Sequence, residues 1–136
     1  MKTIVVLHQS ALIFLLMLVT AALSAGVAYA EGFESSKRVG IYKVTLKMAS
    51  HSLPAADNKA TISVSDGSGP VACDDLRLYY FMPSMPAMNY ETKAVFRDNV
   101  YEAVIKPTMP GAWTVEVRVK GADGNTHKAA FDFQAK

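Results

Sequence analysis

From Tyr42 onward, apolar and polar residues alternate with a period of two, in short runs separated by turn-forming residues. This is the pattern of strands with one buried and one solvated face. Tyr42, Val44, Leu46 and Met48 alternate with Lys43, Thr45 and Lys47 and predict a first strand. Ala60, Ile62 and Val64 against Thr61, Ser63 and Ser65 predict a second, which Asp66-Gly67-Ser68-Gly69-Pro70 ends. Leu76, Leu78, Tyr80 and Met82 mark a third, stopped at Pro83. A short fourth runs from Thr92 to Arg97, and Asp98-Asn99 turns it into a fifth, where Tyr101, Ala103 and Ile105 share a face. Pro107 to Gly111 reads as a turn, because its two prolines cannot donate to a ladder. Trp113, Val115, Val117 and Val119 form the apolar face of a sixth strand, and after a turn at Gly121 to Asn125 the residues Ala129, Phe131 and Phe133 line the last. Nothing in this stretch has the period of a helix. Seven short strands with turns between them predict an all-β, seven-stranded, immunoglobulin-like antiparallel β-sandwich.

The first 30 residues follow a different rule. Lys2 gives a weak positive start, Ala11 to Ala22 is a nearly unbroken apolar run, and Ala28-Tyr29-Ala30 supplies the small-x-small pattern of a signal-peptidase site. Residues 1–30 are therefore expected to be a helical signal peptide or N-terminal membrane anchor. The span is apolar enough to cross a bilayer only if Ser24, Gly26 and Tyr29 are included. Either outcome places the domain outside the cytoplasm, in the periplasm or anchored to the outer face of the cytoplasmic membrane. Glu31 to Gly40 is polar and unpatterned and reads as a flexible tether, which leaves residues 41–136 for the sandwich.

Charge and cysteine content narrow the function. The part beyond residue 30 keeps 13 of the 14 basic residues and all 12 acidic ones, so it is close to neutral and has no basic stripe for nucleic acid. Membrane contact is expected only through residues 1–30. Cys73 is the sole cysteine, so no intramolecular disulfide supports the fold. No serine lies in a nucleophile elbow, and no His pair has hard-metal spacing. Asp74-Asp75 is an adjacent pair whose side chains would point to opposite faces of a strand. An enzyme is not expected.

The remaining chemistry is sulfur. Phe81 to Tyr90 contains Met82, Met85 and Met88 at a spacing of three, and Met109-Pro110-Gly111 adds a fourth thioether. Thioethers are soft, neutral ligands that suit Cu(I) and discriminate against hard cations. If each strand runs opposite to the one before it, the loops after strands one, three and five share one pole. That pole would collect Met48, His51, Met82, Met85, Met88 and Met109, while Cys73 and His127 go to the other. The competing reading makes the methionines packing residues: Met48 and Met82 lie on the apolar parity of their strands, and Met85, Met88 and Met109 would cap the core. The candidate ligands are Met85, Met88 and Met109, with Met82 and His51 as additions. Cys73 reads as a half-buried residue ahead of strand three, with reactive thiol or soft ligand as alternatives.

The order Met85-Pro86-Ala87-Met88, then Val100-Tyr101-Glu102-Ala103, then Met109-Pro110-Gly111-Ala112-Trp113-Thr114-Val115-Glu116-Val117, resembles the YtkA-like domain. That family is similar to FixH-like proteins, which are associated with assembly of copper-containing respiratory oxidases. The resemblance covers most of Gly40 to Phe133. It implies an immunoglobulin-like fold, an extracytoplasmic place, copper as a ligand, and copper-dependent oxidases or copper-transport proteins as partners. Many relatives follow the loop methionine with glycine and histidine, whereas here Asn89-Tyr90 follows Met88. The departure removes an imidazole and implies a thioether Cu(I) site rather than a Cu(II) site. Two functions remain open at this point: an exported, non-enzymatic copper-handling module with a methionine-rich pole, or a metal-free protein-interaction domain.

Overall fold

A computed structural model describes residues 32–136; the expected leader helix lies outside the described residues. Eleven strands are present: β1 (Phe33–Val39), β2 (Tyr42–Met48), β3 (Ser52–Leu53), β4 (Asn58–Asp66), β5 (Gly69–Pro70), β6 (Leu76–Met82), β7 (Met85–Lys93), β8 (Val95–Arg97), β9 (Val100–Ile105), β10 (Gly111–Lys120) and β11 (Thr126–Ala135). They form two sheets. One has the order β1-β2-β4-β9-β8, with β5 against β4, and the other the order β3-β11-β10-β6-β7. All pairings are antiparallel except the short β3–β11 pair, which is parallel.

The predicted alternation produces the sandwich directly. Val44, Leu46, Ile62 and Ile105 from the first sheet face Leu78, Trp113, Val115, Val117 and Phe133 from the second, all of them fully buried. Their polar neighbours, such as Lys43, Arg77 and Glu116, point outward, as the two-residue repeat requires. With no disulfide, this apolar layer is the main source of stability.

Three expectations change. The segment 31–40, expected to be a flexible tether, contains strand β1, Phe33–Val39, paired along its whole length with β2. Its alternation is weak in sequence because it is an edge strand whose side chains are only partly covered. The β1–β2 hairpin turns at Gly40, which has φ of +60° and lies against the His127 ring.

The fourth strand, expected over 92–97, is two strands in different sheets. The chain leaves the second sheet after Lys93, buries Ala94 with its N–H donating to the Leu76 carbonyl at 3.0 Å, and enters the first sheet as β8. Asp98 and Asn99, both at positive φ, then form the two-residue turn of the β8–β9 hairpin. Finally, Met85 and Met88 belong to strand β7, not to a loop. Only Pro83 and Ser84 separate β6 from β7, and Met82 is the Cα partner of Met85 across that turn.

Gly40→Ala should lower stability by about 1–3 kcal/mol, because it strains a left-handed backbone position and drives a Cβ to within 2.9 Å of His127 Nδ1. Gly67→Ala, with nothing within 4 Å, should change it by less than about 0.5 kcal/mol. Urea unfolding midpoints compared at constant slope check both values.

Candidate functional site: the methionine pole

Strand direction carries the ends of β2, β6 and β9 to one pole of the sandwich, with the starts of β4, β7 and β10. Met48, Met82, Met85, Met88, Met109 and His51 all belong to this end. They are not equivalent there.

Met48 and Met82 are core residues at the last positions of β2 and β6. Gly111 makes room for Met82: a Cβ at that position would stand 2.8 Å from the Met82 Cε. The thioether of Met82 is thus enclosed by packing. Met85, 45% exposed, opens β7 on the solvent side. Met88 and Met109 are half-buried and pack against the core.

Met88 and the Pro107–Pro110 turn are brought together by hydroxyl groups. The Tyr90 hydroxyl lies 3.4 Å from Met88 Sδ, and the Thr108 hydroxyl lies 3.7 Å from the same sulfur. The two hydroxyls are 3.1 Å from each other. An aromatic group beneath them fastens the turn residue by residue. The Lys106 N–H donates to the Tyr80 hydroxyl at 3.2 Å, Thr108 meets Tyr90, and the Trp113 indole N–H donates to the Met109 carbonyl at 3.0 Å. Tyr80 and Tyr90 stack at 5.4 Å, Tyr90 and Trp113 at 6.2 Å, and Trp113 and Phe133 at 6.5 Å. Pro107 is buried within this arrangement.

His51 does not join the group. Its carbonyl accepts from Gln134 N–H at 2.9 Å beside β3, and its ring rests on Phe33 at 5.4 Å. Strand β3 and strand β7 are the opposite edges of the second sheet. Four strand spacings place them roughly 19 Å apart. The pole therefore has two corners, one with Met85, Met88 and Met109 and one with His51.

Cys73 lies at the other pole, with His127. Its backbone N–H donates to the Tyr101 hydroxyl, and burial pushes both the Cys73 thiol and the Tyr101 phenol up from their usual ranges. His127 packs edge-on against Tyr42 at 5.3 Å. Asp75 binds Arg77 at 3.0 Å at the entry to β6. Among the described residues, no three His, Cys, Asp or Glu side chains are placed to share a metal ion. What the methionine corner offers chemically is a set of soft, uncharged sulfur donors that do not titrate, one of them open to solvent.

Tyr90, Thr108 and Trp113 are the residues that sequence reasoning did not assign to this corner. A signal existed for Tyr90: Met88, Tyr90 and Thr92 alternate with Asn89, Glu91 and Lys93, which extends the strand back toward Met85.

The YtkA-like family model matches residues 36–118 of the chain. Among solved structures, the soluble domain of PmoD from Methylocystis sp. ATCC 49242 (Rockwell) superposes with a TM-score of 0.55 at 11% identity, covering 74% of this chain and 96% of that one. At that identity the likeness is one of fold. No curated protein matches the chain.

Tyr90→Phe should cost about 0.5–1.5 kcal/mol by removing the hydroxyl shared between Met88 and Thr108. Because the two hydroxyls serve one contact, Thr108→Val added to Tyr90→Phe should cost less than the sum of the single changes. A double-mutant cycle by urea denaturation measures the coupling.

Proposed function

The chain belongs to the YtkA-like family, and on that premise we propose that it is an exported, non-enzymatic module that binds cuprous copper through Met85, Met88 and Met109. The observation that carries the reading is the fastening of Met88 to the Met109 turn through Tyr90, Thr108 and Trp113. Two half-buried thioethers, one from β7 and one from the turn between β9 and β10, are held at one corner, and the exposed Met85 lies on the solvent side of the same strand as Met88. Hydroxyl contacts to sulfur are weak, so Met88 can exchange them for a softer partner at little cost. Neutral thioethers hold Cu(I) without displacing protons, and a rigid turn lowers the entropy lost on closing the site. Met82 is enclosed by packing and His51 sits at the far corner, so neither is included.

On this reading residues 1–30 act as the leader, and the module works in the periplasm or on the outer face of the cytoplasmic membrane, where copper is delivered to extracytoplasmic enzymes. Copper-dependent oxidases or copper-transport proteins are the partners this role requires. The second reading is a metal-free interaction domain in which the methionines cap the core. The packing of Met82 on Gly111 favours it, since it uses a methionine structurally.

A competition titration with a Cu(I) chelator separates the two. Copper handling requires a Kd of about a micromolar or tighter, weakened at least about tenfold when Met85, Met88 and Met109 are all changed to leucine, which preserves volume. Weaker binding, or no effect of the triple change, rejects it. Trp113 is the only tryptophan and donates to the Met109 carbonyl, so its emission should be quenched saturably as the ion binds.

A thioether site also has a distinctive pH response. Affinity should stay level between about pH 7 and about pH 5, because no ligand takes up a proton in that range. A site with an imidazole ligand would weaken over that range, because protons compete with the metal for the ring nitrogen, and the same titration repeated at both values detects it.

A further inference from the structure

Edge strands normally carry protection against pairing with other chains: charge, proline, or a covering element. Strand β8 has little of this. It pairs only with β9, contains no proline, and is charged only at its last residue, Arg97. Val95 is 59% exposed and Phe96 43%, and on the neighbouring strand Val104 is 52% exposed. These are three of the five exposed large apolar side chains among the described residues, gathered at one edge.

Two grooves run along this strand, one on each face. On the inner face, a groove of about 460 Å³ is lined by Leu76, Ala94, Phe96 and Tyr101, with Asp74 and Lys93 also lining it and Phe96 tilted over Tyr101 at 4.9 Å. On the outer face, a groove of about 510 Å³ is lined by Lys59, Lys93 and Arg97 beside Val95 and Val104. Its single carboxylate, Glu102, is already committed to Lys59 at 2.8 Å and lies 4.0 Å from Arg97, and these cations hold it ionised below the usual carboxylate range. Lys93 has no ion-pair partner among the described residues.

We propose that the β8 edge is a docking site for an extended segment of a partner protein in which apolar residues alternate with acidic ones. An added strand sends successive side chains to opposite faces. Its apolar residues enter the groove over Leu76, Phe96 and Tyr101, and its carboxylates meet Lys59, Lys93 and Arg97 on the other side. Because β8 is three residues long, its outward backbone groups are few, and side chains supply most of the recognition. The charge pattern argues against a second copy of this chain as the occupant. Pairing β8 with itself would set the same three cations against one another, with Glu102 as the only acid lining each outer groove. The proposal stands independently of any metal at the methionine corner.

The test uses a fluorescein-labelled ten-residue probe peptide of alternating valine and glutamate, with a valine–glutamine peptide as control and anisotropy as the readout. The purified protein should bind the acidic peptide at least about tenfold more tightly than the control, and less tightly as salt rises from about 50 to about 300 mM. Lys93→Glu with Arg97→Glu should reduce binding about tenfold or more, and Phe96→Ser should do the same at every salt concentration. Both variants change exposed positions, and unaltered urea midpoints show that the fold persists. Lys43→Glu, on the same sheet away from β8, should leave binding unchanged. The proposal is overturned if the two peptides bind equally or if the β8 variants bind as well as the parent chain. It is equally overturned if sedimentation shows self-association lost in Phe96→Ser, or if phosphatidylglycerol vesicles bind while the peptide does not.

Discussion

Trp113 is buried at the start of β10, and a buried indole N–H needs an acceptor. It finds one in the Met109 carbonyl, four residues back. Much of the methionine pole depends on that bond and its two neighbours. Pro107 and Pro110 remove two donors from the turn, so the turn cannot organise itself through its own backbone. Side chains from three strands do so instead: Tyr80 from β6 holds Lys106, Tyr90 from β7 holds Thr108, and Trp113 from β10 holds Met109. The relation of Met88 to Met109 is therefore a property of the aromatic core. It persists as long as Tyr80, Tyr90, Trp113 and Phe133 stay stacked.

How much of this could be read from the sequence depends on where each signal resides. β2, β6 and most of β4, β9, β10 and β11 announce themselves by alternation, because they lie inside the sheets with one face in the core. β1 does not. Only Phe33 and Val39 are apolar in it, and it exists because the Gly40 turn folds it back on β2 over the full register from Phe33–Met48 to Val39–Tyr42. The exchange of sheets at Ala94 is also silent in sequence, since a run of β-forming residues looks the same whether it stays in one sheet or crosses to the other. At the site, counting antiparallel strands placed the methionines at one end and Cys73 at the other. It could not divide that end into two corners, because the division follows from β3 and β7 being opposite edges of a sheet. Nor could it find the Thr108 hydroxyl beside Met88, a contact between residues 20 apart that only the register creates.

The two ends of the sandwich differ in sulfur chemistry. A deprotonated thiol would outcompete thioethers for a soft ion, but Cys73 is a full strand length away, roughly 23 Å for seven residues. Its thiol is held protonated by burial, with Asp74 adding to the effect, and its neighbour Tyr101 is likewise held in the neutral form. Thioether and thiol are therefore separated in space, and burial keeps the thiol from ionising to the stronger thiolate ligand. A donor set made only of methionine binds more weakly and releases more readily than one that includes a thiolate. Transfer of an ion favours the first kind and storage the second.

Strand β7 links the two proposed surfaces and separates them. Met85 and Met88 occupy its first half, while Lys93 at its end lines both grooves beside β8. Five residues of extended chain between Met88 and Lys93 amount to roughly 17 Å. A segment docked along β8 would therefore leave Met85 open to solvent and the Met109 turn uncovered. Contact with a partner and exchange of an ion would then use different faces of one rigid body. On this arrangement, binding of a segment at β8 would not require release of an ion from the methionine corner, nor the reverse. A direct link between the two surfaces is the hairpin partnership of β7 with β6, whose register shifts between Phe81 and Met82, beside the methionine corner. That shift places the irregular part of the ladder at the methionine end, while Arg77 and Lys93 pair regularly at the other. Coupling through this hairpin would have to pass a regular, paired stretch of sheet that resists displacement, whereas β9 offers a second route, running from its pairing with β8 to the turn that carries Met109.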